Sequence, residues 1–226
     1  MYLSEKNLTK LDYNQSTFFL NSKELAEIKG KLKKRKYFIY YPYKDSEKVL
    51  LYTKEKPLVL LYEIKAKIPL RHQDILGTMY SLNISPELFG DILLINQRYY
   101  IYILPLIRNY FESNFVKIKN SSIQLKEIPL EELENYERQY ESIELIVSSN
   151  RIDTVISSIC HTTRKSISDK IQKKEILLNE DFLMDSSYKL KEKDTFSIKK
   201  IGKFRYDGVL KYTKSNHLII QISKYI

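Results

Sequence analysis

Apolar positions follow two rhythms along this chain. Through residues 1–48 they recur near helical spacing, at Leu8, Leu11, Phe18, Phe19, Leu20, Leu25 and Ile28. Asn21-Ser22 stands ahead of Lys23-Glu24-Leu25, a side-chain oxygen before a charged first turn, which predicts a helix start. From about residue 49, short β-branched and aromatic runs take over. Residues 49–52 and 57–64 read as strands, and 73–82 as a helix with Ile75, Leu76, Met79 and Leu82 on one face. Residues 92–95 and 99–104 read as a hairpin joined by Asn96-Gln97-Arg98. A short helix opened by Pro105 extends to Glu112, and strands follow near 115–118 and 123–128. The order β-α-β-β-α-β predicts a split βαβ, ferredoxin-like sheet within an α+β chain.

Beyond it, Glu131, Glu132, Glu134, Glu137 and Glu141 mark a polar connector, with a short strand at 143–147. Two helices are expected next. The first, 151–160, places Ile152, Val155, Ile156, Ile159 and Cys160 on one face; the second, 164–174, turns Ile167 and Ile171 inward. Lys170, Lys173 and Lys174 stand at i, i+3 and i+4, so three ammonium groups should project together. Short strands are expected at 176–179, 195–198 and 218–222. The predicted division is an N-terminal helical basic region (1–48), a ferredoxin-like domain (49–130), a connector (131–147) and a C-terminal domain (148–226).

Composition narrows the function. The 226 residues include only 5 glycines, at 30, 77, 90, 202 and 208, so neither G-x-G-x-x-G nor G-x-x-x-x-G-K-[ST] can be written. Lys and Glu interrupt every long apolar run, which excludes a transmembrane helix, and the first residues lack a signal-like apolar region, so a cytoplasmic location is expected. One cysteine and three histidines predict no disulfide, metal or cofactor. The net charge of +10 favours a polyanionic partner. It is unevenly spread. Residues 1–70 hold 15 basic and 8 acidic side chains, 71–147 hold 7 and 11, and 148–226 hold 16 and 9.

In the C-terminal segment, Arg151-Ile152-Asp153, Thr163-Arg164, the run from Ile171 through Ile176 to Asn179, Lys193-Asp194-Thr195-Phe196-Ser197-Ile198 and Gly202-Lys203-Phe204 resemble the αL RNA-binding motif named after ribosomal small-subunit protein four. The likeness spans about 60 residues. Lys174 and Lys193 replace glycines of that pattern, so each accepts backbone strain or its turn is built differently. A second likeness lies upstream. His72-Gln73-Asp74-Ile75-Leu76-Gly77, Leu82-Asn83-Ile84 and Gly90-Asp91-Ile92-Leu93 are similar to the signature of the YlmH family, with Gln73 and Pro86 where arginines are usual and Asn83 where a glycine is.

This resemblance implies an N-terminal helical piece, a ferredoxin-like RNA-binding domain and a C-terminal αL domain. It also implies a non-enzymatic bacterial cytosolic factor that binds the large ribosomal subunit, through ribosomal RNA and possibly tRNA, in rescue of stalled translation and ribosome quality control, and that is a monomer off the ribosome. An older family link to cell division is indirect.

The expected RNA contacts are Arg151, Arg164, Lys165, Lys170, Lys173, Lys174, Lys199, Lys200, Lys203 and Arg205, set against the plainer reading of a solvated basic surface. Asp153 either fixes a neighbouring arginine or stabilises its helix start. The basic run 29–36 beside the aromatics 37–43 could bind phosphates and bases, or form a solvated turn before a strand. His72 with Asp74 reads as a helix start rather than an acid–base pair, and Cys160 as a core residue rather than a nucleophile. Two rival readings remain: an accessory to, or enzyme of, rRNA or tRNA modification, and a cell-division interaction protein that docks through the acidic middle.

Overall fold

A computed structural model describes residues 3–32, 35–179 and 181–225; Lys33 and Lys34 of the basic run lie outside them. The chain divides into two compact units, 1–137 and 138–226. The α+β class holds for both.

The first unit opens with α1 (Leu3–Asp12) and α2 (Ser22–Leu32). Asn21 and Glu24 cap α2 reciprocally, each side chain accepting the other's backbone N–H at 2.9 Å. Phe18, Phe19 and Leu20 are extended rather than helical, because Leu20 pairs with Val49 across a single antiparallel bridge. A small antiparallel pair follows, β1 (Phe38–Tyr40) with β2 (Leu50–Tyr52).

Then come β3 (Leu60–Ala66), α3 (His72–Ser81), β4 (Phe89–Ile95), β5 (Arg98–Ile103), α4 (Arg108–Asn114), β6 (Lys117–Ile118) and β7 (Ser121–Ile128). The sheet order is β4-β5-β3-β7-β6 with antiparallel neighbours throughout, so β5 slots between the parallel strands β3 and β4. That is the split βαβ arrangement. Asn96 and Gln97 both take positive φ, 49° and 64°, and Ile95 pairs with Arg98, which makes the β4–β5 connection a two-residue turn.

Alternation along β3 sends Tyr62 and Ile64 towards Ile75, Met79 and Phe111 of the helices. Val59 and Leu61 face the other way, onto Phe19, Tyr40, Tyr43 and Leu50. Both sheet faces are therefore covered. The expected boundary at 48/49 falls inside a shared core, because the N-terminal segment supplies the second apolar layer.

In the second unit, β8 (Tyr140–Val147) precedes α5 (Ile152–Ile159), α6 (Arg164–Gln172), β9 (Ile176–Leu178), β10 (Asp181–Phe182), β11 (Thr195–Ile198), β12 (Gly202–Tyr212) and β13 (Leu218–Tyr225). The sheet runs β10-β9-β11-β12-β13-β8. Its core face, with Phe196, Phe204, Tyr206, Ile220 and Ile222, packs on Val155, Ile156, Ile167 and Ile171 of the helices. The expected connector at 131–147 is divided: a helical turn at Leu130–Glu132 stays with the first unit, while β8 pairs with β13 over eight residues.

Candidate nucleic-acid interface

The ten expected contacts fall into three groups, all within the second unit. The first lies where α5 and α6 begin. Arg151 donates from Nε and an Nη to the two carboxylate oxygens of Asp153, at 3.1 and 2.8 Å, and Asp153 also accepts the Thr154 N–H at 2.7 Å. Asp153 thus does both things open to it: it grips an arginine and stands as the acid of its helix's first turn, where it accepts a backbone N–H. Burial alone would raise its carboxyl, but Arg151, the Thr154 N–H and the Arg164 charge bring it below the ordinary range. Arg164 reaches back from α6 to the hydroxyls of Thr154, at 2.5 Å, and Ser148, at 3.3 Å. The Arg164 guanidinium ties α6 to α5, the Arg151 guanidinium is held at the start of α5 by Asp153, and Lys165 stands exposed beside them.

The second group is more open. Helix α6 stops at Gln172, and Lys174 turns left-handed at φ 54°, so Lys170, Lys173 and Lys174 do not form the expected single array. Lys170 leans to Glu175 at 3.4 Å, and Lys174 lies over the half-exposed Phe182 ring at 5.5 Å. The Lys199 N–H donates to the Glu175 carbonyl at 2.9 Å, which brings the β11–β12 turn alongside the end of α6. Lys173, Lys174, Lys199 and Lys200 are all exposed there.

The third group lies on the sheet face away from the helices. Phe204 and Tyr206 point into the core, so Lys203 and Arg205 point out behind it. Arg205 donates to Asp207 at 2.7 Å and sits 4.5 Å above the Tyr140 ring, and Lys203 lies 5.0 Å from the Tyr225 ring. No single RNA face holds all ten residues. Lysines at one end of α6 and the cation–tyrosine layer look in different directions.

Residues 59–132 match a family model described as "Putative RNA-binding domain in YlmH". This stretch of the chain is similar to the RNA-binding domain of the YlmH family. Among solved structures it is similar to the cell division protein ylmH from Streptococcus pneumoniae, at 28% identity over 57% of this chain and 88% of that one, with a TM-score of 0.46. No protein with a curated description matches. The YlmH-type domain supports RNA as this chain's partner.

Several residues that carry the YlmH and αL likenesses hold the fold rather than a ligand. A Cβ on Gly90 would come within 2.9 Å of the Phe19 ring and 3.0 Å of Tyr102 Cβ, so only glycine lets the N-terminal segment lie this close to β4. The next residue, Asp91, is buried and accepts the Tyr43 hydroxyl at 2.6 Å and the Glu47 N–H at 2.8 Å. In the second unit, Asn179 donates to Asp194 at 2.9 Å and accepts the Thr195 N–H at 2.9 Å, and Asp194 also accepts the Lys191 N–H at 2.8 Å. At the three positions where the patterns have glycine, Asn83, Lys174 and Lys193 take φ of 54°, 54° and 72°. The left-handed turns are kept, and the side chains accept their strain.

The acid–base candidates are otherwise engaged. Asp74 accepts the Arg71 N–H at 2.9 Å at the start of α3, and burial pushes the Cys160 thiol up, away from nucleophilic use. Among the described residues no group of three His, Cys, Asp or Glu side chains is placed to hold a metal, and no helix is long and apolar enough to cross a membrane.

Proposed function

We propose that this protein works by binding RNA, without chemistry of its own, on the large ribosomal subunit during rescue of stalled translation. The observation that carries this reading is the lysine cluster at the end of α6. Four exposed ammonium groups from two separate segments are held together by the Lys199–Glu175 backbone bond, with a half-exposed aromatic ring beside them. Phosphates would sit against the lysines and release their counterions, and Phe182 offers a stacking surface. Ribosomal RNA supplies both chemistries, and peptidyl-tRNA would add a second strand. A location in the cytoplasm, and a monomeric state away from the ribosome, belong to the same reading.

Sedimentation of the tagged protein through sucrose gradients of lysate tests it. Co-migration with large subunits, weakened by salt and lost in Lys173→Glu/Lys199→Glu, is expected. Migration at the top of the gradient in every condition would overturn the ribosomal reading. Arg151 and Arg164 are poor choices for such a test, because losing Arg164 disturbs the α5–α6 junction and losing Arg151 leaves the buried Asp153 without its partner.

A further inference from the structure

The acidic balance of residues 71–147 hides a segregation of charge, which Lys65 and Lys67 from just ahead of that segment strengthen. Strand β3 runs antiparallel to β5 and β7, so the end of β3, the starts of β5 and β7, and the start of α3 lie at one end of the sheet. Six cations collect there: Lys65, Lys67, Arg71, Arg98, Lys117 and Lys119, all exposed. Two carboxylates accompany them, and both are buried, with side chains 4% and 6% exposed for Glu63 and Asp74. Glu63 holds Arg98 at 3.1 Å and Lys65 at 3.6 Å. Asp74 holds Lys119 at 2.6 Å and Arg71 at 3.0 Å. Each buried acid therefore fixes two exposed cations whose outer faces remain open, an arrangement that holds guanidinium and ammonium groups in place for a further anion.

The sheet itself cannot do this work. Single-strand RNA readers with a four-stranded sheet stack bases on aromatics of its open face. Here that face is covered: Tyr102 is fully buried, its ring 5.7 Å from that of Tyr43 in the N-terminal layer.

We propose that the middle domain takes the sugar–phosphate backbone of RNA at this basic end, with Glu63 and Asp74 as positioning residues. This rests on the RNA-binding reading above and adds a second, separate contact to it. The family signature alone does not reveal the site, since its Asp74 lies beside Gln73 where an arginine is usual and its partners, Arg71 and Lys119, lie 3 and 45 positions away in sequence.

Fluorescence anisotropy of the full chain with a fluorescein-labelled RNA hairpin, followed over a salt series, tests it. Lys67→Glu/Lys117→Glu touches neither buried acid and should lower affinity roughly tenfold while making the salt slope shallower by about 2, near one per lost phosphate contact. Glu63→Gln and Asp74→Asn supply the sharper test. Each adds net positive charge, so simple attraction predicts tighter binding, whereas loss of positioning predicts binding weakened severalfold with circular dichroism unchanged. Tighter binding by both would overturn the positioning role. If Lys67→Glu/Lys117→Glu binds like the parent while Lys173→Glu/Lys199→Glu is impaired, the site proposed here is wrong and the RNA reading stands. If the parent protein does not bind the hairpin, both fall.

Discussion

Asp91 shows how a signature residue can belong to the fold. Its buried carboxylate receives a hydroxyl and a backbone N–H from residues 43–47, so it clasps the N-terminal segment to the sheet. Hydrogen bonds to a charged group contribute roughly 1.5–3 kcal/mol each, and removing the acceptor leaves the donors buried. Asp91→Ala should lower the urea-unfolding free energy by about 2–4 kcal/mol. Gly90→Ala should cost about 1–3 kcal/mol through overpacking against Phe19. Lys193 is the converse case. A left-handed lysine costs about 1–2 kcal/mol, partly offset by the entropy a glycine loses on folding, so Lys193→Gly should stabilise the second unit by roughly 0.5–1 kcal/mol. A melting temperature that falls in Lys193→Gly would contradict that account. The sequence made these positions visible as departures or matches to a pattern. It did not show what Asp91 or Gly90 touch, because Tyr43 and Phe19 meet them only after the chain has folded back across more than 40 residues.

At the level of elements, patterns with a regular period were legible and those broken by irregularity were not. Helix α3 with its buried face of Ile75 and Met79, the β4–β5 hairpin and the two C-terminal helices all follow their expected spacing. Strand β12, the longest, was missed beyond its opening Gly202-Lys203-Phe204. Its Phe204-x-Tyr206-x-Gly208 alternation is short, and register shifts between Tyr206 and Gly208 and between Val209 and Lys211 break the period that would have revealed the rest. The start of α3 gives a pH prediction. Arg71 first, and Lys119 with it, hold the Asp74 carboxyl well below the usual carboxylate range. A depressed carboxyl stabilises the fold fully above its unfolded value of about 3.9, and the contribution is lost as pH falls towards the folded value. Asp74→Asn should therefore be less stable than the parent at neutral pH, and the gap in urea midpoint should narrow at about pH 3. A gap that is constant between the two pH values would show that the ion pairs contribute nothing.

For the whole molecule, the question is where the chain can be cut. The change of apolar pattern suggested a boundary at 48/49 and the change of charge one at 147/148, but packing places the division at 137/138. Composition marks where the chemistry changes; a folding unit ends where no apolar surface is left uncovered. Removing residues 1–48 would expose Leu61, Leu93, Tyr102 and Leu104, which now pack on Phe19, Tyr40 and Tyr43. At about 1.5–3 kcal/mol for each large side chain returned to water, the loss is roughly 6–12 kcal/mol, comparable to the 5–15 kcal/mol that holds a whole domain. Cutting at 147/148 removes β8, which pairs with β13 along its full length and contributes the buried Val147 to the core. Four fragments separate the two divisions. Residues 1–137 and 138–226 should each melt cooperatively by circular dichroism, while 49–137 and 148–226 should melt without a sharp transition or bind a hydrophobic dye. A cooperative melt for 49–137 would mean that the N-terminal layer lies on a sheet already stable alone, with its aromatic face free to be uncovered. That result would reopen the sheet as an RNA surface and weaken the case for its basic end.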